Sequence, residues 1–325
     1  MGGLGHDRQL GALDRMHALE SGDGRPAAQA RAMSGFSNAR AAAAATMPPM
    51  DILMTGATGK VGSRLAIRLM QRGHAVRALV RDPARADSLQ DAGAALVRGD
   101  LLEPVTLADA VRGVDAVVHC AAFFRGATDE QAHATNDIGT RTLAEAARDA
   151  GVSRFVFTST SLCYAPTGGR VAVEGDAGAP ADAYPRSKLE AERMLLGMEG
   201  LDARILRLPF VYGDGDPHIA EVAPMVRAFP PGLRMSIGHH ADIAQAVARV
   251  LEAAAPTHRL YNVADDEAPD LATLCASVGA PPPDGSDPSR APAFEVVMDT
   301  RRIREDLGFA PQYPRLADAI AAGAM

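Results

Sequence analysis

The chain has 325 residues, 47% of them hydrophobic and 22% charged, with a formal charge of 33 − 40 = −7. That composition excludes a fibrous, collagen-like or wholly disordered chain, and the acidic balance without any basic run argues against a nucleic-acid binder. No apolar run reaches the ~18 residues of a membrane-spanning helix, and three scattered cysteines (Cys120, Cys163, Cys275) offer neither a disulfide framework nor a thiol zinc site; a reducing, cytoplasmic setting is therefore expected.

Residues 1–49 are rich in Ala, Gly and Arg, with five alanines at 41–45 and a Pro pair at 48–49. They lack apolar periodicity, so a disordered tail or a start placed too far upstream is expected. A transit peptide would explain the spread of arginines, but Asp7, Asp14, Glu20 and Asp23 oppose it. From Met50 onward, short apolar runs alternate with helical stretches. Strands are predicted at Ile52–Met54, Ala75–Val80, Ala95–Arg98, Ala116–His119, Arg154–Phe157 and Arg204–Leu208. Helices are predicted near 61–72, 105–112, 135–150 and 183–196, with Gly73, Gly113 and Gly151 placed as left-handed C-caps. Such alternation implies βαβ units and a doubly wound α/β parallel sheet with both faces covered, a Rossmann fold. After Pro209 the alternation breaks and prolines gather at 281–283. Two regions follow: a dinucleotide-binding part over 50–208, and a smaller, irregular, mainly substrate-binding part over 209–325, of which about 240–264 returns to the sheet.

Thr55-Gly56-Ala57-Thr58-Gly59-Lys60-Val61-Gly62 follows the first strand and opens a helix. Gly56 suits a tight turn, Gly59 lets a backbone approach a pyrophosphate, and Gly62 lets helix and strand pack closely. The helix N-terminus then meets the anion with free N–H groups. A plain glycine-rich turn is the bland alternative. The second strand ends in Arg81, where an NAD binder usually carries an acid. An arginine fork suits a 2′-phosphate, so NADP is expected, with NAD possible. Lys60, one of only two lysines, stands to add a second positive charge. Asp82 reads as a helix cap.

Tyr184-Pro185-Arg186-Ser187-Lys188 places Tyr and Lys four residues apart at a helix start, on one face. A nearby ammonium would lower the phenol pKa toward the working range. Asp182 is the expected N-cap, which puts Pro185 in the first turn, where it is tolerated. The hydroxyl run Thr158–Ser161 ends the fifth predicted strand, either as ligand contacts or as ordinary turn chemistry.

Together these residues resemble the extended short-chain dehydrogenase/reductase family, also called the NAD-dependent epimerase/dehydratase family, over about 51–320. The resemblance implies that Asp100-Leu101 lie beside the adenine, and that Cys120-Ala121-Ala122, after His119, run along the cofactor. It makes Asn136, with Gly139-Thr140, structural. It assigns catalysis to Thr160, Tyr184 and Lys188, and it places the stretch Arg207-Leu208-Pro209 to Val211-Tyr212-Gly213 beside the nicotinamide. Tyr184 would exchange a proton with a carbonyl or alcohol, Lys188 would lower its pKa and hold the ribose, and Thr160 would hold the substrate oxygen. Ser161-Leu162 stand where the family's dehydratases carry Asp-Glu, which weakens dehydration. No arginine precedes His240 as in nucleotide-sugar epimerases, which weakens a nucleotide-sugar substrate. His239-His240 with Asp242 read as a helix start rather than a metal site, so no metal is expected. The resulting expectation is an NAD(P)-dependent reductase or dehydrogenase of a small-to-medium carbonyl or alcohol. An epimerase with tightly held NAD and a non-catalytic NADP-binding redox sensor are the alternatives. A homodimer through the helices near 135–150 and 184–198 is implied by the same resemblance.

Overall fold

In the computed structural model, residues 48–124, 128–164, 169–287, 289 and 294–325 are described. The expectation for the tail therefore lies, except for Pro48 and Pro49, outside the described residues. Residues 46–325 cluster as one compact unit.

Seven strands form one sheet in the order β3-β2-β1-β4-β5-β6-β9. They are β1 (Asp51–Thr55), β2 (Ala75–Val80), β3 (Ala95–Arg98), β4 (Ala116–His119), β5 (Arg154–Thr160), β6 (Ala203–Leu208) and β9 (Leu260–Asn262). Every neighbouring pair is parallel. Parallel neighbours need crossovers, which put helices on both faces and leave the central strands dry. β4 and β6 are buried at every position. One face packs on α1 (Lys60–Gln71) and α8 (His240–Glu252), through Leu65, Leu69, Val247 and Val250. The other packs on α3 (Pro104–Ala110), α5 (Gly139–Asp149) and α6 (Ala183–Gly197), through Leu107, Leu143, Ala147 and Leu195.

Three predicted strands coincide with β2, β3 and β4, the other three fall short of β1, β5 and β6 by one to three residues, and Gly73, Gly113 and Gly151 all take positive φ. Two details differ. The helix expected near 135–150 begins earlier, as α4 (Asp129–Ala132). It passes through a π-helical turn at His133–Ile138 and becomes α5 at Gly139. A short α2 (Asp87–Asp91) also fills the second crossover. Beyond β6 the chain makes a second, two-stranded parallel sheet from β7 (Phe210–Tyr212) and β8 (Ile237–His239). Between them lies α7 (His218–Val222). A third core of Tyr212, Ile219, Phe229, Leu233, Leu271 and Leu316 gathers α7, α9 (Leu271–Ala276) and α11 (Leu316–Ala321). α10 (Arg301–Leu307) packs back beside β9.

Candidate active site

A parallel sheet sends all its C-terminal strand ends to one rim, and the singled-out residues collect there. At β1, Gly56 has φ +69, and a Cβ on it would lie 2.5 Å from the Ala121 nitrogen. A Cβ on Gly62 would overlap the Gly56 carbonyl oxygen. A Cβ on Gly59 would meet only that same oxygen, at 3.2 Å, and Thr58, Gly59 and Lys60 are exposed. Gly59 is the N-cap of α1 and supplies no side-chain cap, so the first N–H groups of α1 lack that partner. A tight turn, close strand–helix packing and an open N-terminal face are what a diphosphate requires. Ala57 is buried and Val61 half-buried beneath the turn.

Beside the turn, Thr58, Val80, Arg81, Asp82 and Arg85 line a cleft of about 300 Å³. Asp82 is occupied locally, accepting from the Ala84 N–H at 3.1 Å. Arg81 and Arg85 are both exposed on the cleft, and neither guanidinium has a hydrogen-bond or ion-pair partner among the described residues. Arg85 was not singled out from the sequence; the signal available was its four-residue spacing from Arg81. Asp100 accepts from the Leu102 N–H at 3.0 Å, and Leu101 is buried against Gly139.

Lys60 departs from expectation. Its Nζ sits 2.5 Å from the Glu221 carboxylate and 3.4 Å from Asp216, so its charge is committed to α7 and the loop before it. Asp216, buried, also binds His240 Nε2 at 2.9 Å. His240 is held down at about 4, mainly by burial, and is neutral at pH 7. His239 accepts from the Ala241 N–H, and Asp242 takes the backbone N–H groups of Gln312 and Tyr313. The three side chains weighed as metal ligands thus point to three different partners.

A directed hydrogen-bond chain runs from the glycine turn to α6. The Ala121 N–H donates to Thr55 Oγ1 (3.3 Å), which lies 2.6 Å from His119 Nδ1. His119 Nε2 lies 2.8 Å from Thr140 Oγ1, which donates to the Asn136 carbonyl at 2.6 Å. The Thr140 proton is spent, so His119 must donate from Nε2 and accept at Nδ1. Burial pushes the His119 pKa well below its ordinary value, which matches that neutral tautomer. Buried Asn136 then grips the Phe123 backbone on both sides, accepting from its N–H (2.7 Å) and donating to its carbonyl (3.0 Å). It also donates to Ser187 Oγ at 3.0 Å, and Ser187 donates to the Tyr184 carbonyl at 2.9 Å.

Asp182 is the N-cap of α6 by backbone geometry, without a side-chain cap bond. Lys188 is 1% exposed, and its Nζ lies 3.8 Å over the Phe157 ring. Thr160 accepts from the Leu162 N–H at 3.2 Å. Burial pushes the Tyr184 phenol up to about 12, with the Thr160 hydroxyl opposing. Burial also pulls Lys188 down to about 7, with Cys120 and Glu192 opposing. Burial, not the Lys188 ammonium, dominates the Tyr184 phenol, which keeps its proton. Cys120 also stays a thiol, raised by burial to about 11, while Ala122 is exposed at the rim.

Arg207 turns away from the rim. It is buried in a bidentate pair with Glu192 (2.6 and 3.0 Å) and donates to the Tyr164 hydroxyl at 2.9 Å. Pro209 packs against Gly238, and the buried Val211 offers its carbonyl to His218.

The sequence model of the NAD dependent epimerase/dehydratase family matches residues 52–264. A 4-hydroxy-2-methyl-3-oxo-4-farnesyl-3,4-dihydroquinoline-1-oxide ketoreductase of Stigmatella aurantiaca is 35% identical over 175 residues, 51% of this chain and 52% of the relative. A 3 beta-hydroxysteroid dehydrogenase/Delta 5-->4-isomerase of Mycobacterium tuberculosis is 35% identical over 183 residues, covering 51% and 48%. The chain thus spans about half the length of these curated relatives. Among solved structures, MoeE5 in complex with UDP-glucuronic acid and NAD superposes with a TM-score of 0.71 at 26% identity, over 83% of this chain and 96% of that one.

Proposed function

Because the chain belongs to the NAD dependent epimerase/dehydratase family, we propose that it is an NADP-preferring reductase of an apolar ketone. An NAD(P)-dependent oxidoreductase is the coarse activity its relatives share. The feature that supports the finer reading is the Tyr184–Lys188 pair on α6, with Lys188 buried, on a helix that packs against β5, the strand that ends at Thr160. A carbonyl being reduced needs a proton donor, and a phenol that burial keeps protonated across the working range is one.

The glycine cradle and the open α1 N-terminus fit a dinucleotide diphosphate, and Arg81 with Arg85 fits a ribose 2′-phosphate. When bound, the dinucleotide supplies the hydride. Thr160 and Tyr184 hold the ketone oxygen with two hydroxyls, and Tyr184 passes its proton to that oxygen. Lys188, fixed four residues on by the helix, presents its ammonium where the phenolate forms and favours that anion.

The test is NADPH and NADH absorbance with a panel of alkyl and aryl ketones. Tyr184→Phe is expected to lower turnover by about 10²–10⁴-fold, the usual scale for a lost acid–base group, with NADPH affinity retained. Arg81→Asp is expected to weaken NADPH binding far more than NADH binding. Near-wild-type turnover in Tyr184→Phe refutes the mechanism, and a wild type that binds NADH more tightly than NADPH refutes the cofactor preference.

A further inference from the structure

We infer that His133, Asp137 and Glu190 form a binding site for a first-row divalent cation, best suited to zinc, where the π-helical turn at His133–Ile138 meets α6. The site does not depend on the reductase reading and uses none of the His239-His240-Asp242 run.

One ligand atom from each of the three side chains lies within 4.8 Å of the other two. His133 Nδ1 and the Asp137 carboxylate, four residues apart in the turn, are already 3.2 Å from each other. Around a tetrahedral zinc with bonds of about 2.0–2.1 Å, ligand atoms stand about 3.3 Å apart, so closure asks for side-chain shifts of about 1 Å. His133 and Glu190 are exposed and have room to make them, while Asp137 is 15% exposed and fixes the floor. The donor set spans two elements: the imidazole and one carboxylate come from the turn, the other carboxylate from α6. Their relative placement is held from beneath. Asn136, buried in the same turn, donates to Ser187 on α6 at 3.0 Å. Ser187 and the three ligands line one cleft of about 300 Å³. Charge on that cleft favours a cation. Asp129 and Arg186 answer each other at 2.7 Å, which leaves two carboxylates facing one imidazole. An imidazole with two carboxylates suits zinc better than magnesium or calcium, which take oxygen ligands. A water molecule fits the fourth tetrahedral position.

Calorimetric titration of zinc chloride into the chelator-stripped full chain is expected to show a saturable site of one ion per chain that millimolar magnesium does not displace. His133→Ala and Glu190→Gln, both at exposed positions, are each expected to weaken it at least about tenfold. Glu130→Gln, at an exposed acid of α4 outside the donor set, should leave the affinity unchanged. Because zinc ties the turn to α6 in the folded chain alone, saturation should raise the melting temperature by about 3 °C or more, and His133→Ala should abolish that rise. Absence of saturable binding overturns the assignment. So does binding that survives both His133→Ala and Glu190→Gln, a loss in Glu130→Gln as large as theirs, or displacement by magnesium.

Discussion

Lys188 and Tyr184 are displaced in opposite directions by the same cause. Burial disfavours whichever form is charged, so the ammonium falls to about 7 and the phenol rises to about 12. For lysine the consequence for stability has a definite sign. Between about 7 and the unperturbed 10.5, the unfolded chain holds a proton that the folded chain has released, so stability rises with pH through that window. Below about 7 both forms are protonated and the full cost of the buried charge is present. Lys188→Met is therefore expected to abolish turnover yet stabilise the fold, most strongly near pH 6 and hardly at all near pH 10. Urea unfolding at the two pH values checks this; equal effects at both would point to packing instead. The Tyr-x-x-x-Lys spacing was readable from the letters alone. Its electrostatics were not, because the depth of Lys188 over Phe157 depends on where β5 and α6 meet.

At the scale of elements, α1 works along one stripe. Lys60, Arg64 and Arg68, at i, i+4 and i+8, share a face. Lys60 meets Asp216 and Glu221, Arg64 donates to the Asp214 carbonyl, and Arg68 binds the Asp214 carboxylate at 2.7 Å. The glycine turn is thereby tied to the loop after β7. The Lys60–Glu221 pair is half-exposed and adds only about 0–1 kcal/mol, so its effect belongs to cofactor affinity rather than to melting temperature. Lys60→Glu is expected to weaken NADPH binding about tenfold or more, and adding Glu221→Lys should recover most of it. Fluorescence titration decides, because a lysine acting directly on a phosphate would not be rescued by a cation moved to α7. Strands and long amphipathic helices were legible because burial imposes their period. The π-helical turn at His133–Ile138 was not, since it answers to the Asn136 contacts with Phe123 and Ser187, which no local period encodes.

For the molecule as a whole, the feature that joins its regions is ionic and dry. Arg207 on β6 pairs with Glu192 on α6 and donates to Tyr164 and to the Glu174 carbonyl. Glu174 in turn accepts from the Asn262 N–H on β9 and lies 3.4 Å from Arg302 on α10. The Tyr164 hydroxyl completes the loop by donating to Asn262 at 2.5 Å. Removing one member leaves a buried charge unanswered, which costs about 3–5 kcal/mol, whereas an apolar pair of similar volume is often tolerated. Glu192→Leu is expected to lose stability on that scale, and Glu192→Leu with Arg207→Met to regain more than half, as read by denaturant midpoints at constant m. Of the six participants, Arg207 alone was singled out from the sequence, for its place beside the cofactor. Its partners Glu192, Tyr164 and Glu174 lie 15, 43 and 33 residues away, and no local period encodes them.

That pairing also has a consequence in time. During synthesis β6 emerges at residues 203–208, but its outer neighbour β9 must wait for residues 209–259. Until then the last strand of an otherwise dry sheet presents a bare edge, the kind of surface on which nascent chains join one another. Two of its six residues are arginines, Arg204 and Arg207, both sealed in the finished fold by Asp202 and Glu192. On the open edge they are charges that repel a second copy of the same strand. Ribosome-released chains ending at residue 255 should scatter less light than the same chains carrying Arg204→Leu and Arg207→Leu, so the guanidiniums that lock the completed sheet also guard the incomplete one.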